Sequence, residues 1–138
     1  MDERAIETIE MELAILIRRA TSAGRNLGTL DRSAYLLLNQ IASHSRAGVK
    51  TLADEFHLDI STVSRQTAAL EQKGYVTRIP DPDDGRAYVL EMTELGAKEL
   101  EECRQARFVR FRELLKDWPE ADRAAFGRLL HRFNRTFS

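Results

Sequence analysis

The stretch Asp59-Ile60-Ser61-Thr62-Val63-Ser64-Arg65, followed further along by Pro80-Asp81-Pro82-Asp83-Asp84-Gly85-Arg86, decides how this chain is read. Around these two segments, residues 49 to 92 spell a short helix, a turn, a second helix and two short strands that enclose a hairpin loop. A helix-turn-helix followed by a hairpin with a basic tip can lay one helix in a DNA groove and reach sideways with the hairpin.

Each boundary of the unit carries a local signal. Thr51 is a candidate cap for the first short helix, whose inner set is Leu52, Ala53 and Phe56, and Leu58 is expected to anchor the turn that follows. Asp59 is placed to cap a second helix over Ile60 to Lys73, and Gly74 supplies the left-handed residue expected after a helix end. Tyr75 to Ile79 and Ala87 to Met92 are rich in β-forming residues, and the prolines, aspartates and glycine between them have turn chemistry.

Outside the unit the pattern is helical. Ile6, Ile9, Leu13, Leu16, Ile17 and Ala20 recur at three-to-four spacing over residues 3 to 22, with Gly24 and Gly28 as breakers. A second helix is expected from Asp31 or Arg32 to Ser45, capped by Asp31, with Leu37, Leu38 and Ile41 on its inner face and Ser45-Arg46-Ala47-Gly48 closing it. Thr93 can cap a long helix over residues 94 to 116, and Trp118-Pro119 interrupts before a last helix bearing Phe126, Leu129, Leu130, Phe133 and Phe137. The terminal helices display more large apolar side chains than a small core beside the hairpin unit needs, which predicts a dimer interface; packing on each other within one monomer is the alternative.

On a helical wheel centred on Val63, Thr67 and Leu70 fall on the buried side, Ser61, Arg65, Ala68, Ala69 and Gln72 fall opposite, and Thr62 and Ser64 lie on the flanks. Small residues on the outer face let a backbone sink into the major groove, hydroxyls bond phosphates or bases, and arginine grips guanine through two acceptors. Arg65 is therefore the leading base reader, while Ser61 and Thr62 meet the positive end of the helix dipole, where phosphate is favoured. A solvated helix face carries the same residue types for solubility alone, so the reading rests on the conjunction with the hairpin. There, Gly85 offers an unusual backbone angle, Arg86 projects from the tip, and Asp84 can hold its guanidinium for entry into a narrow minor groove. Asp81 and Asp83 are expected to cap turns or face away, and Arg78 is a candidate backbone contact. The candidate DNA-contacting set is Thr51, Ser61, Thr62, Ser64, Arg65, Gln66, Arg78, Asp84 and Arg86.

Bulk charge does not announce this function. The 138 residues carry a net charge of −1, and residues 30 to 90 hold seven basic side chains against eight acidic ones. Placement has to do the work, because affinity follows the charges that meet phosphates. No apolar run approaches the ~20 residues of a bilayer crossing, and the start Met1-Asp2-Glu3-Arg4 is unlike a signal peptide, so a cytoplasmic protein without membrane association is expected. Cys103 alone forms no intrachain disulfide; His44, His57 and His131 are isolated, so neither metal nor other cofactor is expected. No nucleophile motif and no glycine-rich phosphate loop appear, so no catalytic residue is assigned and an enzyme is not expected. A winged-helix module that binds protein instead of DNA is the remaining alternative.

Ser61-Thr62-Val63-Ser64-Arg65 through Leu70-Glu71-Gln72-Lys73-Gly74-Tyr75-Val76, then Asp81-Pro82-Asp83-Asp84-Gly85-Arg86, then Met92-Thr93-Glu94-Leu95-Gly96, resemble the MarR family of winged helix-turn-helix regulators in three motifs and in order. The resemblance implies a mainly α chain with a small antiparallel β wing, forming a single domain over residues 1–138. Residues 31–93 would be the winged helix-turn-helix lobe, and residues 1–30 and 94–138 the dimerisation helices. It further implies a homodimer that binds double-stranded DNA, with Ile60 to Lys73 in the major groove and Arg86 in the minor groove, oriented by Asp84. A repressor of a pseudo-palindromic operator, released by a small aromatic or phenolic effector, is the usual function. Gly85 departs from the arginine often found there, and Met92 from a leucine. No cysteine lies in the N-terminal helix, so the peroxide-sensing mechanism of one branch does not carry over, and Cys103 is expected to be a small packed hydrophobe. Tyr35, Asn39, His44, Arg18 and Trp118 could line a pocket between the lobes, but no effector contact is assigned to them.

Overall fold

The computed structural model describes residues 2–22 and 30–137. Gly24 and Gly28, expected to end the first helix, lie outside the described residues. Six helices and a three-stranded antiparallel sheet follow in the order α1 (Glu3–Ser22), α2 (Arg32–His44), β1 (Arg46–Ala47), α3 (Val49–Phe56), α4 (Ile60–Gln72), β2 (Val76–Asp81), β3 (Asp84–Met92), α5 (Glu94–Leu115) and α6 (Glu120–Arg135). This is the expected mainly α chain with a β wing. Among the described residues no helix is long and apolar enough to cross a membrane.

One apolar core sits under the helix-turn-helix. Leu38 and Ile41 from α2, Leu52 from α3, Val63 from α4, Leu90 from β3 and Leu100 from α5 are all essentially fully buried. The three-to-four spacing within each helix brings these side chains to one face, and their burial from water is the main drive holding five elements together. Cys103 is fully buried in the same core, as a small hydrophobe would be. No described side chain of α1 or α6 is fully buried.

Local chemistry sets most of the boundaries. The Asp31 carboxylate accepts the Ala34 N–H at 2.8 Å and starts α2. Two caps and one turn differ from expectation. Thr51 lies inside α3, whose N-cap is Gly48 without a side-chain bond; the apolar Val49 enters the helix first because it packs against the core. Asp59 does occupy the cap position of α4, but its side chain makes no capping bond to the backbone. Leu58 does not anchor the turn: its side chain is exposed, and only its N–H is fixed, to the Ala53 carbonyl at 3.0 Å. The turn is instead made by His57 in the left-handed region, φ 55°.

The segment after α2 also does more than close a helix. Arg46 and Ala47 form β1, pairing with Glu91 and Leu90 of β3 and making the sheet order β1-β3-β2. Two residues give no periodicity to read, so the strand exists only because β3 offers it an edge. The hairpin is tighter than its composition suggests: Asp81 pairs with Asp84, leaving Pro82 and Asp83 as the turn, with an irregularity between Pro80 and Asp81. Gly85 lies within β3 without a positive φ, and a Cβ there would meet open space. The backbone therefore does not require glycine at that position.

The start of α5 is welded to the end of α4. Gly74 turns the chain at φ 82°, and its carbonyl accepts the Thr93 hydroxyl at 2.5 Å. The Thr93 N–H donates to the Tyr75 carbonyl at 3.0 Å, and the same Thr93 hydroxyl oxygen caps α5 by accepting the Gly96 N–H at 3.0 Å. Gly96 is pressed so closely on this junction that a Cβ would sit 2.1 Å from the Tyr75 carbonyl oxygen and 2.9 Å from Met92 Cγ. Because the first obstacle is backbone, Gly96→Ala must displace α5 or β2, and a loss of about 1–3 kcal/mol of unfolding free energy is expected. Urea titration of the two proteins measures it, whereas Gly85→Ala should leave the midpoint nearly unchanged.

Candidate nucleic-acid interface

The wheel drawn for α4 is the one the fold adopts. Val63, Thr67 and Leu70 are its buried residues, while Ser61, Arg65, Ala68, Ala69 and Gln72 are exposed and Thr62, Ser64 and Gln66 lie on the flanks. The outer face is thus free to approach a duplex, small along its length and carrying one long cation.

At the N-terminus of α4 the hydroxyls are already engaged. Ser61 Oγ donates to Asp59 Oδ2 at 2.6 Å, and Thr62 Oγ1 donates to Asp59 Oδ1. These two bonds, Ser61 first, hold the Asp59 carboxyl below the usual aspartate range, with a smaller contribution from Arg65. The Thr62 hydroxyl oxygen in turn accepts from Arg65 Nη2 at 3.4 Å. Asp59, Thr62 and Arg65 therefore form a chain that leads the guanidinium along the helix face. The hydroxyl protons point at Asp59, so a phosphate reaching Ser61 or Thr62 has to replace a carboxylate.

A cleft of about 680 Å³ separates the helix-turn-helix from the wing. Ser64 and Ile60 of α4, Lys50 and Thr51 of α3, and Arg86 of the wing line it together. Thus Thr51, Ser64 and Arg86, singled out separately along the sequence, converge on one surface, whereas Arg65 stands on the face of α4 outside it. Lys50 was missed; it has no ion pair among the described residues, and its position one residue before Thr51 was the only available signal. Arg46 also lines the cleft but is held by Glu91, Nε to Oε2 at 2.9 Å.

The wing departs from its sequence reading at Asp84. Asp84 does not grip the Arg86 guanidinium; its Oδ1 accepts the Arg86 backbone N–H at 3.0 Å, so it fixes the turn and leaves the arginine side chain exposed. Asp81 caps the turn, as expected, through the Asp83 N–H at 2.9 Å, and both Asp81 and Asp83 line the cleft. Arg78 is tied down on the strand, its Nε 3.1 Å from Glu71 Oε1 and its guanidinium 4.3 Å from the centre of the Tyr88 ring. That pairing leaves it less available to a phosphate than Lys50.

Comparison with known proteins converges on the same architecture. The MarR family model matches residues 30–88. An uncharacterised HTH-type transcriptional regulator, YxaD of Bacillus subtilis, is 43% identical over 139 residues, covering 99% of this chain and 97% of the relative. Among solved structures, a MarR family protein from Bacillus stearothermophilus superimposes with a TM-score of 0.80 at 19% identity, covering 99% of this chain and 98% of the other. A mutant MarR from E. coli, solved in complex with operator DNA, superimposes at 0.71 with 24% identity, covering 88% and 93%.

The Asp59 cluster gives a direct check on the geometry. Its folded pKa is lowered, so the stabilisation it brings to the α4 start is present above the unfolded-state pKa and fades as pH falls through the lowered folded value. A carboxyl-detected NMR titration should give Asp59 a midpoint below that of an ordinary aspartate, and Ser61→Ala should raise it. An unmoved midpoint in that variant would remove Ser61 from the cluster.

Proposed function

The chain belongs to the MarR family of winged helix-turn-helix transcriptional regulators, a DNA-binding family, and from that premise we propose that it is a homodimeric repressor reading a pseudo-palindromic operator. The observation that carries the reading is the cleft in which Ser64, Thr51 and Lys50 of the helix-turn-helix face Arg86 of the wing. In the proposed complex α4 lies in the major groove with Arg65 on a guanine edge, and Lys50, Thr51 and Ser64 meet the phosphates beside it. Ser61, Thr62 and Gln66 flank that contact, Arg86 enters the adjacent minor groove, Asp84 sets its turn, and Arg78 steadies the strand behind it. The near balance of charge over the lobe is compatible with this, since Lys50, Arg65 and Arg86 have no ion-pair partner among the described residues.

A second copy of the chain accounts for the terminal helices. Ile6, Ile9 and Leu16 of α1, Phe108 and Phe111 of α5 and Leu130 of α6 all remain exposed. Covering side chains of this size contributes about 1.5–3 kcal/mol each, enough in sum to offset the entropy of association. The proposed division of labour is residues 31–93 for DNA and residues 1–30 and 94–138 for the dimer. Release by a small aromatic or phenolic effector, action in the cytoplasm and the absence of any catalytic role complete the proposal and rest on the family resemblance.

The reading is tested on a duplex that the purified protein selects from genomic fragments. Arg65→Ala is expected to cost about 1–3 kcal/mol and to relax preference at one base pair per half-site. Arg86→Ala should weaken binding with loss of an A·T preference only, and Lys50→Ala should weaken all sequences alike while lowering the salt slope by about one. Binding that ignores salt would instead favour a protein-docking winged helix. Sedimentation equilibrium should give a dimer; a monomer at micromolar concentration would overturn the assembly.

A further inference from the structure

Helix α5 joins the two parts of the molecule, and its hold on the DNA-reading lobe changes character along its length. Leu100, Cys103, Arg104 and Arg107 follow at the spacing of one helical stripe facing α2. The first two are buried in the core. The next two make a polar clasp: Arg104 donates through Nε, at 3.1 Å, and through Nη2 to Asn39 Oδ1, and Asn39 Nδ2 donates back to the Tyr35 carbonyl at 3.0 Å. Arg107 lies with its guanidinium carbon 4.1 Å from the centre of the Tyr35 ring. Its Nε is buried and finds no hydrogen-bond partner among the described residues. From Phe108, at 60% exposure, through Leu114 every residue of α5 is exposed.

We propose that Asn39 and Arg104, with Tyr35 and Arg107, are positioning residues that set the angle at which the outgoing half of α5 leaves the DNA-reading lobe, and so the half-site spacing that the dimer accepts. The inference rests on the homodimeric reading above. The weld at Thr93 and Gly96 fixes where α5 starts relative to α4, and Leu100 and Cys103 pack its first half into the core. The direction taken beyond them is set by the last contact on the lobe, and that contact is the clasp. Residues 107 to 115 extend the helix by about 12 Å, so a tilt at the clasp is amplified at the dimer seam and doubled by twofold symmetry. Adding one base pair between half-sites moves the second by about 3.4 Å and turns it by about 35°, which a lobe with a fixed exit angle cannot follow. Neither Asn39 nor Arg104 reaches the face presented to DNA, so the clasp acts on spacing and not on base preference.

The experiment compares four duplexes: a full operator selected from a random-sequence library by the wild-type protein, the same operator with one base pair inserted or removed at its centre, and a single half-site. Wild type should lose about tenfold or more on the altered spacings. Asn39→Leu, which removes the acceptor at similar size, should bind all three full-length duplexes within about threefold of one another while keeping its half-site affinity. Asn39→Asp keeps an acceptor for Arg104, now a carboxylate, and loses the Nδ2 bond to the Tyr35 carbonyl, so it should keep the wild-type spacing discrimination where the Arg104 contact sets the angle. Arg104→Gln reaches the same test from the other helix if Asn39→Leu does not fold. Unchanged spacing discrimination in Asn39→Leu and Arg104→Gln overturns the inference while leaving the operator reading intact, as does an equal loss on every duplex including the half-site. Wild-type protein indifferent to spacing sinks the dimeric reading itself, and the clasp with it.

Discussion

The contact on which the molecule depends most is the close approach of Gly96 to the Tyr75 carbonyl, locked by Thr93. One hydroxyl donates to the last turn beyond the recognition helix and caps the next helix with the same oxygen. Every element that presents a side chain to the proposed DNA surface lies on one side of this junction, and most of the exposed large apolar side chains lie on the other or on α1. The absence of a side chain at Gly96 is what lets the two meet at backbone distance, since any Cβ would overlap the carbonyl. This joint fixes where α5 starts relative to α4, and the contacts further along α5 act on a helix whose origin is already set.

The charge distribution follows the same economy. A lobe with seven cations and eight anions between residues 30 and 90 has no overall field to attract a polyanion. Its ion pairs sort the charges: Glu71 occupies Arg78, Glu91 occupies Arg46, and Glu55 holds His44 at 2.6 Å. Five of the seven cations have no ion pair among the described residues, and three of them, Lys50, Arg65 and Arg86, lie around one cleft and one helix face, with Arg32 and Lys73 elsewhere. Asp59, Asp81 and Asp84 look out of place beside a phosphate surface until their oxygens are followed to Ser61, Thr62, and the backbone N–H groups of Asp83 and Arg86. They hold turns and hydroxyls in place, and that is the reason carboxylates persist there.

The sequence was informative where physics is local. Caps at Asp31 and Thr93, the left-handed Gly74, the inner face of α4 and the break at Trp118-Pro119 are each set by a few neighbouring residues, and each is found where periodicity and turn chemistry put it. It misled where a local preference competed with packing. Thr51 is a good cap by type, but Val49 packs against the core and draws the helix start three residues earlier. Gly85 has turn chemistry, yet β3 extends through it because Asp84 pairs with Asp81.

The sequence alone determined the order and faces of the helices, the wing and the set of small polar residues on α4, because helical and strand periods, caps and glycine conformations are properties of a few adjacent residues. Only the tertiary structure decided that Arg46 and Ala47 form a strand, that Lys50 shares a cleft with Arg86, and that Arg104 holds Asn39. Those pairs lie tens of positions apart, and no local preference carries information about a partner that only chain folding delivers. Nothing in the local pattern singles out the arginines at positions 104 and 107, which acquire partners only when α2 packs against them; the meaning of a charged side chain is set by what faces it.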